Sequence, residues 1–195
     1  MNVNIIILGN QGVGKTTILD SFIEKQFVPS LYATLGIDTK MIKIQNNNEL
    51  ILYNYFDTEG SEKDNTTNLG FIAKADGIIL IYDGELSKEQ KKTDLEKWQH
   101  LIEKYCDTNI YNYVWLVCNV RTKDTIINIE EEKKLIKTFK LKYLNNLVSV
   151  ILYQDHTHSI QTFFATVNNS ILEKDSIKNR MEYKNQNNRK FCIIY

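Results

Sequence analysis

The stretch ILGNQGVGKTTI, residues 7 to 18, constrains this chain more than any other. Its spacing is G-x-x-x-x-G-K-T, with Gly9, Gly12 and Gly14 ahead of Lys15, Thr16 and Thr17. Glycines at those places let the backbone turn tightly and aim successive N–H groups inward as a nest for an anion. Lys15 supplies a point charge for the outer phosphates of a nucleotide, and the Thr16 hydroxyl a ligand for Mg2+. The apolar run before the loop reads as a buried strand, and residues 14 to 27 as a helix whose positive end faces the same anion. Gly12, Val13, Gly14, Lys15, Thr16 and Thr17 are therefore the candidate phosphate-binding residues.

The rest of the chain alternates in the same way. Strands are expected at 3 to 9, 37 to 44, 49 to 57, 76 to 83, 111 to 119 and 147 to 153. Helices are expected at 14 to 27, 87 to 105, 129 to 143 and 159 to 174. In the second of these Leu95, Trp98, Leu101 and Ile102 recur at helical spacing, and Ser87 suits the N-cap. Strands separated by long helices predict an α/β fold of the P-loop NTPase kind, a mostly parallel six-stranded sheet with helices on both faces. The polar turn after residue 44 makes one early hairpin, which adds an antiparallel edge. Ligands of such sheets sit beyond the carboxyl ends of the strands. There the loops at 9 to 16, 57 to 62, 119 to 124 and 153 to 158 gather.

Bulk properties narrow the class further. The 24 basic and 24 acidic side chains cancel, so no net field draws the chain to nucleic acid or membrane. Three separated cysteines, Cys106, Cys118 and Cys192, suit a reducing compartment and neither a disulfide framework nor a zinc site. The opening MNVNIIILGN lacks the basic segment of a leader, and position 2 has no glycine for myristoylation. His156 and His158 lack a third ligand and read as cap and surface residues. The Lys/Glu run from 130 to 142 reads as a solvated helix face, and Phe163 and Phe164 as core. The expectation is a cytoplasmic protein with one domain over residues 1–174 and a flexible, Asn-rich tail over 175–195.

A second loop bears on the first. YFDTEG places Asp57 at a strand end, where a carboxylate can hold a metal through water. Gly60, three residues on, lets its N–H approach the last phosphate. With GNQGVGKT, TLGID at 34 to 38, FDTEGSE at 56 to 62 and ADGIILIYD at 75 to 83, the chain resembles the Ras-superfamily small GTPases, nearest the Rab and Rab-like branch. The likeness runs over about residues 3 to 172 and is strongest in the first half. It implies GTP or GDP with Mg2+ as cofactors, and Thr34 as a further metal ligand in the triphosphate state. It places Phe27 against the guanine ring and Asn119 beside it. It implies regulation of vesicle or protein transport through effector or complex-subunit proteins that bind the switch surfaces.

The chain departs from that family at telling places. Ser61 stands where the family keeps the glutamine that orients the attacking water, so hydrolysis is expected to be slow or absent. Gln11 replaces a glycine, and Glu59 replaces a small alanine, facing either the terminal phosphate or solvent. In CNVRTKD, Asn119 is kept, but Val120 and Thr122 replace the lysine and aspartate of N-K-x-D. A hydroxyl cannot take the two charge-assisted bonds a carboxylate takes from guanine, which leaves Asp124 or Asp155 to serve. Thr39 replaces an effector-facing phenylalanine. The ending CIIY offers Cys192 for prenylation, with Arg180, Lys184, Arg189 and Lys190 as the basic partner signal for the cytosolic face of endomembranes. The competing expectation is a pseudo-GTPase scaffold in a transport complex, of the intraflagellar-transport kind. A kinase or ATPase is disfavoured because no arginine-rich lid segment appears.

Overall fold

The computed structural model describes residues 1–30, 32–46, 49–61, 66–122, 128–137, 147–151, 157–175 and 177–181. Six strands form one sheet: β1 (Asn2–Leu8), β2 (Ile37–Asn46), β3 (Glu49–Thr58), β4 (Gly77–Asp83), β5 (Val114–Val120) and β6 (Leu147–Ile151). Their spatial order is β2-β3-β1-β4-β5-β6. All neighbours run parallel except the β2–β3 hairpin at the edge. The helices are α1 (Lys15–Glu24), α2 (Thr66–Ala73), α3 (Lys88–Tyr105), α4 (Ile129–Lys137) and α5 (Thr157–Leu172).

Period-two alternation on β1 divides the core. Ile5 and Ile7 face one side, where they cluster with Ile18 and Leu19 of α1 and Phe163, Phe164 and Val167 of α5. Ile6 and Leu8 face the other, with Ile72 of α2, Leu95, Trp98 and Ile102 of α3, and Leu135 and Ile136 of α4. Every residue of β4 and β5 is buried, as strands covered on both faces must be. The six-stranded, mostly parallel architecture read from the sequence is the one the chain adopts.

Differences from the sequence reading have local causes. Helix α1 ends at Glu24 because Lys25 enters the left-handed region, with φ +55°. Strand β5 starts at Val114, after a 3-10 turn over Thr108–Tyr113. Helix α2 was not anticipated; its eight residues are too few for a clear helical period. Ser87 caps α3 with a full capping box, its hydroxyl oxygen accepting from Gln90 N while the Gln90 side chain accepts from Ser87 N.

The packed domain also runs past Lys174, where the sequence reading began the tail. Ile177 is fully buried in the α1/α5 core and Met181 packs against it. Arg180 donates to Asp76 Oδ1 at 2.6 Å and to the Asn2 carbonyl at 3.3 Å. It is thus held on the domain instead of serving a free basic tail. Two apolar side chains and one ion pair outweigh a composition that is otherwise polar. Cys192, Lys184, Arg189 and Lys190 lie outside the described residues.

Candidate nucleotide site

At the carboxyl end of β1 the chain turns through Gly9, Gly12 and Gly14, at φ +141°, +78° and +93°. Gly9 is forced by contact as well as angle, since a Cβ there would lie 2.1 Å from the Ile81 carbonyl oxygen. Lys15 opens α1 and curls back over the loop, its Nζ donating to the Gly9 carbonyl at 2.9 Å and the Asn10 carbonyl at 2.8 Å. Burial lowers its pKa to about 8, against the opposing pull of Asp57 and then Glu59. A bound anion would stabilise the charged form of this buried amine. Trp98 of α3 holds the same loop, with Nε1 donating to Asn10 Oδ1 at 2.8 Å.

Three side chains from separate segments meet beside Lys15. Thr16 donates to Asp57 Oδ2 at 2.6 Å, Thr34 donates to the same oxygen at 3.2 Å, and the two hydroxyls lie 2.8 Å apart. Asp57 is fully buried, and its Oδ1 has no hydrogen-bond partner among the described residues. Burial raises the Asp57 pKa against the hydroxyl bonds and the charge of Lys15. Two hydroxyls and one buried carboxylate with an unfilled oxygen are hard oxygen donors, the set Mg2+ takes when it also keeps several waters. Among the described residues no group of three or more His, Cys, Asp and Glu side chains could hold a metal ion.

The cleft above them, about 320 Å³, is lined by Gln11, Gly12, Gly14, Lys15, Thr16, Thr17, Ser30, Tyr32, Ala33, Thr34, Thr58 and Glu59. Ser61 does not line it. At Gly60, packed beside Lys15, only glycine fits: at φ +82° a Cβ would meet Lys15 Nζ at 2.3 Å and the Gly9 carbonyl at 2.6 Å. Glu59 is half-buried and is itself one of the residues lining the cleft. Its Oε2 accepts from Gly36 N at 3.2 Å, and its own N–H donates to the Gly36 carbonyl at 2.9 Å.

The base end is built differently. Asn119, at the end of β5, donates from Nδ2 to the Val13 carbonyl at 2.7 Å, tying this loop to the phosphate loop. Its buried Oδ1 has no partner among the described residues. Thr122 is bonded to Glu85. Its N–H and hydroxyl both donate to Glu85 Oε1, at 2.7 and 2.8 Å, and Arg121 N donates to the same oxygen at 2.9 Å. The Thr122 hydroxyl, then the loop N–H groups and the nearby Arg121 charge, hold the Glu85 pKa below the usual carboxylate range. Arg121 also pairs with Asp83. Phe27 is half-buried in the segment after α1, which is tied back by Val28 N to Ser21 Oγ at 3.1 Å and Ser30 N to Thr17 Oγ1 at 3.3 Å. Asp124 and Asp155 lie outside the described residues. Sequence reasoning missed Glu85, Asn10 and the new role of Glu59, because each acts through partners far along the chain.

Fold, glycine loop and carboxylate–hydroxyl cluster together define a Ras-like nucleotide-binding domain. Residues 4–121, more than half of the chain, match the family described as Ras of Complex, Roc, domain of DAPkinase, and the chain belongs to that family of Ras-like GTPase domains. It is similar to Rab proteins: 34% identical to Ras-related protein Rab-12 of Homo sapiens over 103 residues, 53% of this chain and 41% of that protein. It is 36% identical to Rab-18-B of Danio rerio over 107 residues, 55% of this chain and 51% of that protein. The chain thus spans about half or less of the length of these two relatives. Against the GTP-binding protein ypt2 of Schizosaccharomyces pombe it is 25% identical over 187 residues, 95% of this chain and 88% of that protein.

Proposed function

We propose that the chain is a Rab-like protein that binds a guanine nucleotide with Mg2+, hydrolyses it slowly or not at all, and regulates vesicle or protein transport through partners at its switch surfaces. The observation that carries this reading is the meeting of Thr16 and Thr34 on Asp57 Oδ2, which leaves the second buried oxygen of that carboxylate, Oδ1, unfilled. Lys15 and the backbone N–H groups of Gly12 to Thr17 bind and orient the phosphates. Thr16 and Thr34 would hold the ion through their hydroxyls and Asp57 through water, and the ion would neutralise phosphate charge. Gly60 leaves its N–H free of side-chain crowding beside Lys15. Slow hydrolysis follows from Ser61, a short hydroxyl that stays off the cleft and cannot orient a water there. Exposed Tyr32 and Leu35 offer the apolar contacts a partner would bury.

The engagement of Thr122 by Glu85 favours a second reading, a pseudo-GTPase scaffold whose nucleotide is structural or dispensable. One titration separates the two: nucleotide-stripped protein against fluorescent GTP, GDP and ATP with Mg2+, beside Lys15→Ala. Guanine binding lost in Lys15→Ala supports the first. Absence of Lys15-dependent binding supports the second. A membrane anchor through prenylated Cys192 completes the proposal. Mass spectrometry of protein isolated from eukaryotic cells, with Cys192→Ser as control, tests the anchor.

A further inference from the structure

We propose that Glu59 stands in for the terminal phosphate: it holds the 34–36 segment closed over a nucleoside diphosphate and disfavours a triphosphate. This inference rests on the nucleotide reading above. In nucleotide switches of this kind, the first switch segment is ordered by contacts to the γ-phosphate and its Mg2+ and is released when that phosphate leaves. Here the chain itself supplies the holding contacts. Gly36 N donates to Glu59 Oε2 at 3.2 Å, and Glu59 N donates to the Gly36 carbonyl at 2.9 Å, a reciprocal clasp between the two loops. The β2–β3 ladder takes over at the next pair, Ile37 opposite Thr58. Thr34, two residues before Gly36, is held on Thr16 and Asp57 by side chains alone.

The charges point the same way. Glu59 lines the cleft with Lys15 and Thr34, and fully buried Asp57 lies just behind it. One ammonium already faces two carboxylates. Each added phosphate charge near Glu59 meets repulsion from these two carboxylates. Small residues are the rule where a phosphate must sit; a glutamate there fills both the space and the charge. The consequence is an exposed Tyr32–Leu35 surface that keeps its shape in the diphosphate complex, so partner binding there does not wait on hydrolysis.

The test uses the full chain with Mg2+, fluorescent GDP and a non-hydrolysable GTP analogue, on wild type, Glu59→Gln and Glu59→Ala. Amide hydrogen exchange at Gly36 is followed in each diphosphate complex. Glu59→Gln keeps an acceptor for Gly36 without the charge, whereas Glu59→Ala has neither. Wild type is expected to bind the diphosphate at least as tightly as the triphosphate analogue. Both variants should move the ratio about tenfold toward the triphosphate, the scale of one charged contact. Gly36 protection should persist in Glu59→Gln and fall about tenfold in Glu59→Ala. An affinity ratio unchanged in both variants, or Gly36 protection unchanged in Glu59→Ala, overturns the proposal. Failure of the underlying reading looks different: no nucleotide binds wild type in a Lys15-dependent way, and this proposal falls with it.

Discussion

The phosphate end and the base end of the candidate site lie beyond the carboxyl ends of β1 and β5, yet their polar groups are used differently. At the phosphate end the polar groups converge on a shared space: Lys15, Thr16, Thr34 and Asp57 all reach it, and Asp57 Oδ1 is left unfilled. At the base end they are consumed internally. Asn119 spends its amide on the Val13 carbonyl, and Thr122 spends both its donors on Glu85. Each end still leaves one buried oxygen without a partner among the described residues, Asp57 Oδ1 at the phosphate end and Asn119 Oδ1 at the base end, so the two ends differ in where their donors go and not in having an open acceptor. The donors of Asn119 and Thr122 are thus engaged within the protein, while Lys15, Thr16 and Thr34 gather beside one cleft.

The sharpest way to break this contrast is Lys15→Ala, which should weaken binding of every nucleotide by about 100-fold while leaving any base preference unchanged. Titration with fluorescent GTP and ATP reads both. A change in base preference would mean that the two ends are not independent.

Gly60→Ala comes next. Its Cβ would strike Lys15 Nζ and the Gly9 carbonyl from a positive-φ position, so a loss of about 1–3 kcal/mol of stability is expected by thermal melting, with weaker phosphate binding.

Asp57→Asn separates ligand binding from stability. The amide oxygen keeps the bonds from Thr16 and Thr34 but removes a buried charge. The nucleotide-free protein should gain about 1 kcal/mol, and the Mg2+-dependent part of nucleotide affinity should fall about tenfold. Denaturant melts without nucleotide and titrations with and without Mg2+ check the two halves.

At the base end, Thr122→Asp alone should fail to create guanine preference, because the new carboxylate would face Glu85 instead of a ligand. Thr122→Asp with Glu85→Gln should raise the GTP-over-ATP ratio about tenfold. Equal ratios for the single and double variants would show that Glu85 does not control this loop.

The smallest effect is one of pH. Burial lowers the folded-state pKa of Lys15 from 10.5 to about 8. Above pH 8 the unfolded chain therefore keeps a proton that the folded chain has released, and by linkage stability rises with pH. Cys106 and Cys118, raised by burial to about 11, act in the opposite sense once pH passes 9. The nucleotide-free protein should therefore gain stability between pH 8 and 9 relative to Lys15→Met, as read by denaturant midpoints.

Much of this was legible in the chain because it is local. The glycine spacing of 9, 12 and 14 encodes a backbone shape within a few residues, and alternation along Ile5, Ile6, Ile7 and Leu8 encodes a strand covered on both faces. Helix α3 was legible for the same reason, its cap and its apolar stripe lying in one stretch. Thr16, Thr34 and Asp57 could be named from motifs, although only folding brings them together across 18, 23 and 41 residues. Helix α2 was not legible, since eight residues carry too little period to read.

The amino-acid sequence by itself determined the layered sheet, the phosphate loop and the identities of the groups that reach the cleft. Backbone preference and hydrophobic period act over short distances, and the chain states them directly. Tertiary structure alone decided where the carboxylates went. Glu59 turned to Gly36 across 23 residues, Glu85 took the Thr122 hydroxyl across 37, and Ile177 and Arg180 bound a polar tail segment to the domain. A charged side chain long enough to reach several partners is settled by whichever unpaired donor the fold brings near, and no local pattern states which that will be.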